Sequence, residues 1–350
     1  MSTDPYSKSQ IIAGDALNVL SRISDGYIDC CITSPPYYAL RDYGVEGQIG
    51  LENSIDEYIG KLVEIFREVH RVLRDDGTLW VNIADTYAGS GKGRKADGTH
   101  SKGISKSSDY CGQTAGNIKP RFATGIKKKE LCLIPQRLAI ALQADGWYIR
   151  QDIIWSKPNA MPESVKDRCT KSHEYIFLLT KQQNYYFDGD VIKEPCVGFD
   201  NRPPAGGRGT LTPNSRRRKG NAKSFRGGGA YTNHGSYENA AITNRESHGN
   251  AANETGLRNR RSVWSVATKG YSGAHFATFP EKLIEPCILA GCRIGGIVLD
   301  PFFGSGTVGV VAKKHERCYL GIELNPEYVD IAKQRIGGEQ NVKNKDYGRE

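Results

Sequence analysis

The sequence predicts an α/β fold built on one doubly wound, mostly parallel sheet with an antiparallel strand, interrupted by a basic insertion. Three observations predict it. Apolar runs of strand length alternate with segments of helical periodicity, and turn residues bound each one. Several of those runs are apolar at successive positions, as in strands buried on both faces. A glycine-rich turn, Gly304-x-Gly306-x-x-Gly309, follows one such run and opens a helical pattern.

Ser9 to Ala13 reads as the first strand, ended by Gly14-Asp15, with a short helix over Ala16 to Leu20. Tyr27 to Thr33 (YIDCCIT) is the next strand and runs into Ser34-Pro35-Pro36-Tyr37. Ile55, Tyr58, Ile59, Leu62, Phe66, Val69 and Leu73 fall at helical spacing, and Asp75-Asp76-Gly77 is expected to stop that helix. Thr78 to Ile83 (TLWVNI) is a strand. Leu133 to Leu142 is a helix with Pro135 in its first turn. Trp147 to Trp155 and Glu174 to Thr180 read as two strands, antiparallel to each other. The series closes with a helix over Leu283 to Leu289, a strand over Ile297 to Leu299, a helix over Thr307 to Lys314, a strand over Tyr319 to Ile322 and a helix over Glu327 to Ile336.

Charge is unevenly placed. The 350 residues carry 48 Lys+Arg and 39 Asp+Glu, a formal net charge of +9. Lys92 to Lys129 holds ten basic residues against two acidic, and Asp190 to Lys269 fourteen against six, leaving 24 against 31 elsewhere. Both basic stretches are rich in Gly and polar residues, so mobile or partner-ordered polypeptide is expected there. An acidic body with two basic segments fits a polyanion such as nucleic acid, although two solvated loops would give the same count. Val263-Trp264-Ser265-Val266 is the apolar island able to anchor the second segment.

No run of about 20 apolar residues spans a membrane, and the start lacks the basic-then-apolar pattern of a signal peptide. The nine cysteines include no CxxC pair, and Cys287/Cys292 without a His makes a poor zinc site. A cytoplasmic chain with reduced thiols and no metal is the expectation.

Two motifs carry chemistry. In Asp300-Pro-Phe-Phe-Gly-Ser-Gly-Thr307, glycines let the backbone take positive φ and approach a ligand closely at a helix start. Glu323 lies at the end of the next strand, where a carboxylate accepts hydrogen bonds from ribose hydroxyls. That is a nucleoside-cofactor site, against the plainer reading of a structural glycine turn. In Thr33-Ser-Pro-Pro-Tyr37, two prolines lack N–H groups and hold the chain extended at the carboxyl end of a strand. Ser34 Oγ and the Pro35 carbonyl can accept both protons of an exocyclic amino group, and Tyr37 offers a stacking face. A strand-ending turn is the alternative from these residues alone.

Together the motifs resemble the S-adenosyl-L-methionine-dependent DNA amino-methyltransferases, which modify cytosine N4 or adenine N6. The catalytic tetrapeptide of that family is S/D/N-P-P-Y/F/W, here Ser34, Pro35, Pro36 and Tyr37. Its cofactor motif D-P-F-x-G-S-G-T is matched in full from Asp300 to Thr307, including Phe302, Gly304, Ser305 and Gly306. With the catalytic motif first, the chain resembles the circularly permuted beta class, with a Rossmann-like methyltransferase sheet. The order speaks against a dehydrogenase, because only 41 residues follow Gly309. An RNA or protein amine methyltransferase and a non-catalytic DNA-binding module are the competing classes.

The resemblance implies further positions. Asp15 falls where the family contacts the cofactor adenine, and a helix cap explains it equally. Glu323 with Asn325 matches the ribose-holding acid, Phe279-Pro280 the segment around the methionine end, and Trp155 with Lys157 a wall of the base pocket. Trp155 also suits plain core. The implied layout is a catalytic half at 1–89 and 131–188, a basic insertion at 90–130, target recognition at 189–274, a cofactor half at 275–336 and a polar tail at 337–350. Arg216, Arg217, Arg218 and Lys219 are the expected phosphate contacts, or else a solvated charge run. Ser34 in place of Asp or Asn points to cytosine N4 ahead of adenine N6. The implied partner is double-stranded DNA, from which the target base is flipped. A bacterial or phage restriction–modification setting follows, with a cognate endonuclease as possible companion; the oligomeric state does not.

Overall fold

A computed structural model describes residues 9–40, 44–88, 126–195, 257–268 and 279–346, the last nine of these as backbone only. The elements follow in order as β1 (Gln10–Ala13), α1 (Ala16–Leu20), β2 (Ile28–Thr33), α2 (Ile55–Val72), β3 (Leu73–Ile83), α3 (Ile134–Ala144), β4 (Tyr148–Ser156), β5 (His173–Thr180), β6 (Glu194–Pro195), β7 (Leu257–Arg258), β8 (Val263–Ser265), α4 (Glu281–Gly291), β9 (Ile297–Asp300), α5 (Thr307–Lys314), β10 (Cys318–Glu323) and α6 (Pro326–Asp346). The chain divides into two units, Met1–Ile192 with Arg261–Glu350, and Lys193–Arg260. Of the second, the described residues form an antiparallel pair, β6 with β7, closed by an Arg258–Glu194 ion pair at 2.9 Å.

The first unit is built on an eight-stranded sheet ordered β1-β10-β9-β2-β3-β5-β4-β8. The fold class read from the sequence is the one observed, since β5 alone runs against its neighbours. Alternation explains why these strands read as unbroken apolar runs. Cys31, Leu79, Val81 and Leu299 face a core shared with α1, α2 and α3, while Cys30, Ile32, Trp80 and Val298 face a second core under α4, α5 and α6. Burying both faces leaves no polar side for the pattern to show.

Two expectations are corrected. Asp75-Asp76-Gly77 does not stop α2; the helix ends at Val72, and Leu73 is already extended (φ −68°, ψ 142°) and starts β3. Leu73 pairs with Ile28 there, so sheet pairing overrides a turn-like tripeptide. The island at Val263 is an edge strand that pairs parallel with β4 through Ile154, Trp155 and Ser156.

The order of strands places the ligand site. From β9 the chain continues through α5 to β10, toward one edge. From β2 it continues through α2 to β3, toward the other. β2 and β9 are neighbours, pairing Cys30 with Val298 and Cys31 with Leu299. Their carboxyl ends therefore open on the crevice where the winding reverses, which is where doubly wound sheets bind ligands.

Candidate active site

Ser34-Pro35-Pro36-Tyr37 leaves β2 and Pro301 to Gly306 leaves β9, so the two sequence motifs meet at that crevice. A single buried hydrogen bond ties them, from Thr33 Oγ1 to Asp300 Oδ1 at 2.7 Å. Asp300 also accepts from the Phe302 N–H at 3.0 Å, which fixes the start of the glycine turn. Burial is the main reason its carboxyl is pushed up to about 7; the bonds from Thr33 and Phe302 pull it down, and the Glu323 charge adds to the rise.

The crevice is an open cleft of about 1190 Å³, counting solvent at its mouth. Ser34, Pro35, Pro36 and Tyr37 form one wall, and Asp300, Phe302, Gly304, Ser305, Thr307, Glu323 and Asn325 another; Phe279 also lines it. The turn needs glycine twice. Gly304 has φ +50° and, apart from its chain neighbours, nothing nearer than 4.0 Å where a Cβ would sit, so the backbone faces open space. Gly306 has φ +80° and a Cβ there would meet Ala332 at 2.9 Å.

Glu323 braces this turn. Its Oε2 accepts from Gly304 N at 2.7 Å and its Oε1 from Asn325 N at 2.8 Å, while burial raises the carboxyl. The Ser305 and Thr307 hydroxyls face back into the protein, where Arg335 of α6 donates to them at 3.1 and 2.9 Å and is itself anchored by Glu281. Those two residues reach the cleft, but their hydroxyls hold the turn in place.

Other expected residues are placed differently. Asp15 is the N-cap of α1, accepting from Asn18 N at 3.0 Å, and its neighbours Gly14 and Ala16 line the cleft instead. Pro280 caps α4 and is buried beside the cleft residue Phe279. Trp155 belongs to the core, with its indole N–H donated to the Val266 carbonyl at 2.7 Å. Lys157 lies over its ring at 4.2 Å and pairs with Glu174. Arg216, Arg217, Arg218 and Lys219 lie outside the described residues.

Side chains that sequence reading passed over complete the wall. Tyr58 donates to the Pro36 carbonyl at 2.8 Å, and a Cβ on Gly50 would come within 2.9 Å of the Tyr37 carbonyl oxygen. Tyr37 OH donates to Glu174 at 2.7 Å, and Asn82 donates to the same oxygen at 3.2 Å. A faint signal existed for two of these: Asn82 and Glu174 are polar residues at apolar strand runs. Among the described residues, no group of three His, Cys, Asp or Glu is arranged to hold a metal, and no helix is long and apolar enough to cross a membrane.

A glycine turn at the switch point, facing an extended Ser-Pro-Pro-Tyr wall, defines a group-transfer site for a nucleoside cofactor. Similarity to known proteins narrows that class. A family model described as DNA methylase, covering N6 and N4 enzymes, matches residues 28–334, and the chain belongs to that family. Among its relatives is the Type II methyltransferase M.Cfr9I of Citrobacter freundii, 45% identical over 329 residues, or 94% of this chain and 88% of that one. In fold the chain is similar to PvuII DNA methyltransferase (cytosine-N4-specific), with a TM-score of 0.57, 17% identity and coverage of 96% and 92%. It is also similar to a DNA modification methylase of Thermus thermophilus, solved as a complex with S-adenosyl-L-methionine, with a TM-score of 0.52, 19% identity and coverage of 95% and 94%. S-adenosyl-L-methionine is the cofactor of this enzyme class. The cleft fits it: a carboxylate at the ribose position, peptide backbone exposed by Gly304, and the apolar surfaces of Phe279, Phe302 and Tyr328 for a purine ring.

Proposed function

We propose that the chain methylates the exocyclic N4 of cytosine, flipped out of duplex DNA, as the modification activity of a restriction–modification system. The observation that carries this reading is the placement of Ser34 and Pro35 across one cleft from the glycine turn, locked by the Thr33–Asp300 bond. When bound, the cofactor supplies an electrophilic methyl group. The amino lone pair of a base is delocalised into its ring and weakly nucleophilic. Ser34 Oγ and the Pro35 carbonyl, accepting both N–H bonds, draw the nitrogen toward tetrahedral geometry and localise that pair. Neither Pro35 nor Pro36 has an N–H to compete for those acceptors. Most of the acceleration comes from holding two reactants in line, so no enzyme nucleophile is required.

Glu323 is assigned to the ribose hydroxyls, since each of its oxygens keeps a lone pair beyond the backbone N–H it accepts. Gly304, Gly306 and the start of α5 shape the cofactor cradle. Ser34 selects cytosine over adenine in this reading: a neutral hydroxyl serves where the adenine branch has Asp or Asn. The stretch 189–274, with Arg216 to Lys219 on phosphates, is assigned to target recognition. The test is methyl transfer from labelled cofactor to duplex DNA, followed by digestion to nucleosides. Label in N4-methylcytosine is expected; label in N6-methyladenine would overturn the base assignment, and label confined to RNA or protein would overturn the substrate.

A further inference from the structure

Behind the Ser-Pro-Pro-Tyr wall lies a polar cluster with a direction built into it. Glu174, at the start of β5, is only 8% exposed. A buried carboxylate needs partners on both oxygens. One oxygen is paired with the Lys157 ammonium. The other accepts from Tyr37 OH at 2.7 Å and from Asn82 Nδ2 at 3.2 Å. Asn82 Nδ2 also donates to the Tyr175 carbonyl at 3.2 Å, which fixes which way its amide points. At the far end, Ser34 Oγ lies 3.3 Å from Tyr37 OH and donates to it.

A carboxylate accepts and never donates, so the single phenol proton of Tyr37 goes to Glu174. Burial, with the Glu174 charge second, holds that phenol well above its usual range, so the proton stays in place. Tyr37 then has only lone pairs to offer Ser34. Ser34 spends its own proton on Tyr37, and both lone pairs of its Oγ are left for the cleft. A hydroxyl without this constraint would rotate and present its proton to the target nitrogen part of the time, engaging the lone pair that must attack.

We infer that Glu174 is a positioning residue for the methyl transfer: acting through Tyr37, it sets the Ser34 hydroxyl as an acceptor facing the target amino group. The inference rests on the proposed role of Ser34 and deepens it. It distinguishes a polarity from a mere contact, and the isosteric variant separates the two. In Glu174→Gln the shape and the number of hydrogen bonds are kept. Lys157 is a donor only and holds the remaining oxygen, so the new NH₂ faces Tyr37. Tyr37 must then accept, its proton turns to Ser34, and the Ser34 proton turns to the cleft. Adding Lys157→Met frees the amide to rotate and offer Tyr37 its oxygen again.

The experiment is single-turnover methyl transfer to a duplex substrate, with KM for DNA and cofactor affinity by calorimetry measured beside it, and Lys157→Met alone as reference. For Glu174→Gln, the expected rate falls on the order of 10²-fold, the usual loss for one preorganised polar contact, with KM and cofactor affinity within twofold. The double variant Glu174→Gln/Lys157→Met should recover about tenfold over the single one. A Glu174→Gln rate within threefold of wild type overturns the inference. So does a loss shared equally by KM and cofactor affinity, or a double variant that recovers nothing, because each marks a merely structural contact. Wild-type protein that moves no methyl to a base amine in DNA overturns the proposed function itself, and the inference with it.

Discussion

Replacing Asp300 by Asn should remove a pH dependence that the wild-type fold carries. The side chain is 1% exposed and sits between β2 and β9, where Asn keeps both of its acceptor contacts, to Thr33 Oγ1 and Phe302 N. Burial raises the carboxyl from 3.8 to about 7. A raised folded-state value means that the stability contribution is complete below about pH 4 and is lost as pH rises through about 7. At 1.36 kcal/mol per unit, the full loss is about 4 kcal/mol, of which about 3 kcal/mol falls between pH 5 and 8. Urea unfolding of both proteins without cofactor, followed by the fluorescence of buried Trp80, measures it. The wild-type free energy minus that of Asp300→Asn should drop by about 3 kcal/mol from pH 5 to pH 8. Curves that run parallel across that range would refute the reasoning, and with it the view that the bond joining the two motifs involves a strained, desolvated acid.

Three other outcomes are expected. Ser34→Ala and Tyr37→Ala should abolish methyl transfer while calorimetric cofactor affinity stays at the wild-type value; near-normal turnover in Ser34→Ala would show that the acceptor role is misplaced. Glu323→Ala leaves the Gly304 and Asn325 N–H groups without their carboxylate, and should weaken cofactor binding by about ten- to a hundredfold. Gly306→Val should do at least as much, through positive φ and the close approach of Ala332. Changing Arg216, Arg217, Arg218 and Lys219 together to Ala should weaken binding to related and unrelated duplexes alike. The slope of log affinity against log salt should flatten by about 0.9 per contact, up to roughly 3.6, and an unmoved slope would mean that the run faces solvent.

What the sequence made legible was local and repetitive. TLWVNI announces a strand through six successive residues, and Thr307 to Lys314 announces a helix because a glycine turn precedes it and its apolar spacing continues. Both are found at those places. Asp75-Asp76-Gly77 misled because turn propensity is weak against the pairing of Leu73 with Ile28, which no window around the tripeptide contains. Trp155 misled for a related reason. An indole beside a Lys-Pro-Asn loop looks available for stacking until β8, more than a hundred residues later, covers it and takes its N–H.

The same limit explains why the motifs were readable and their supports were not. Ser34 and Gly304 are constrained by chemistry that any ligand of this kind imposes, so their residue types carry meaning wherever they stand. Glu174, Asn82 and Arg335 are constrained by partners. Glu174 acquires its role because β5 enters antiparallel beside β3 and sets Tyr175 opposite Ile83, which delivers the preceding carboxylate to the phenol of Tyr37, 137 positions earlier in the chain. Shift that register by one residue and the alternation of the strand turns Glu174 to the other face of the sheet. Tyr37 would keep its place in the tetrapeptide and lose the acceptor that directs its proton. The catalytic motif can therefore be intact in the sequence while its polarity depends on a pairing made elsewhere. That is why the isosteric change at Glu174, and not another truncation within the motif, is the sharper probe of how this site works.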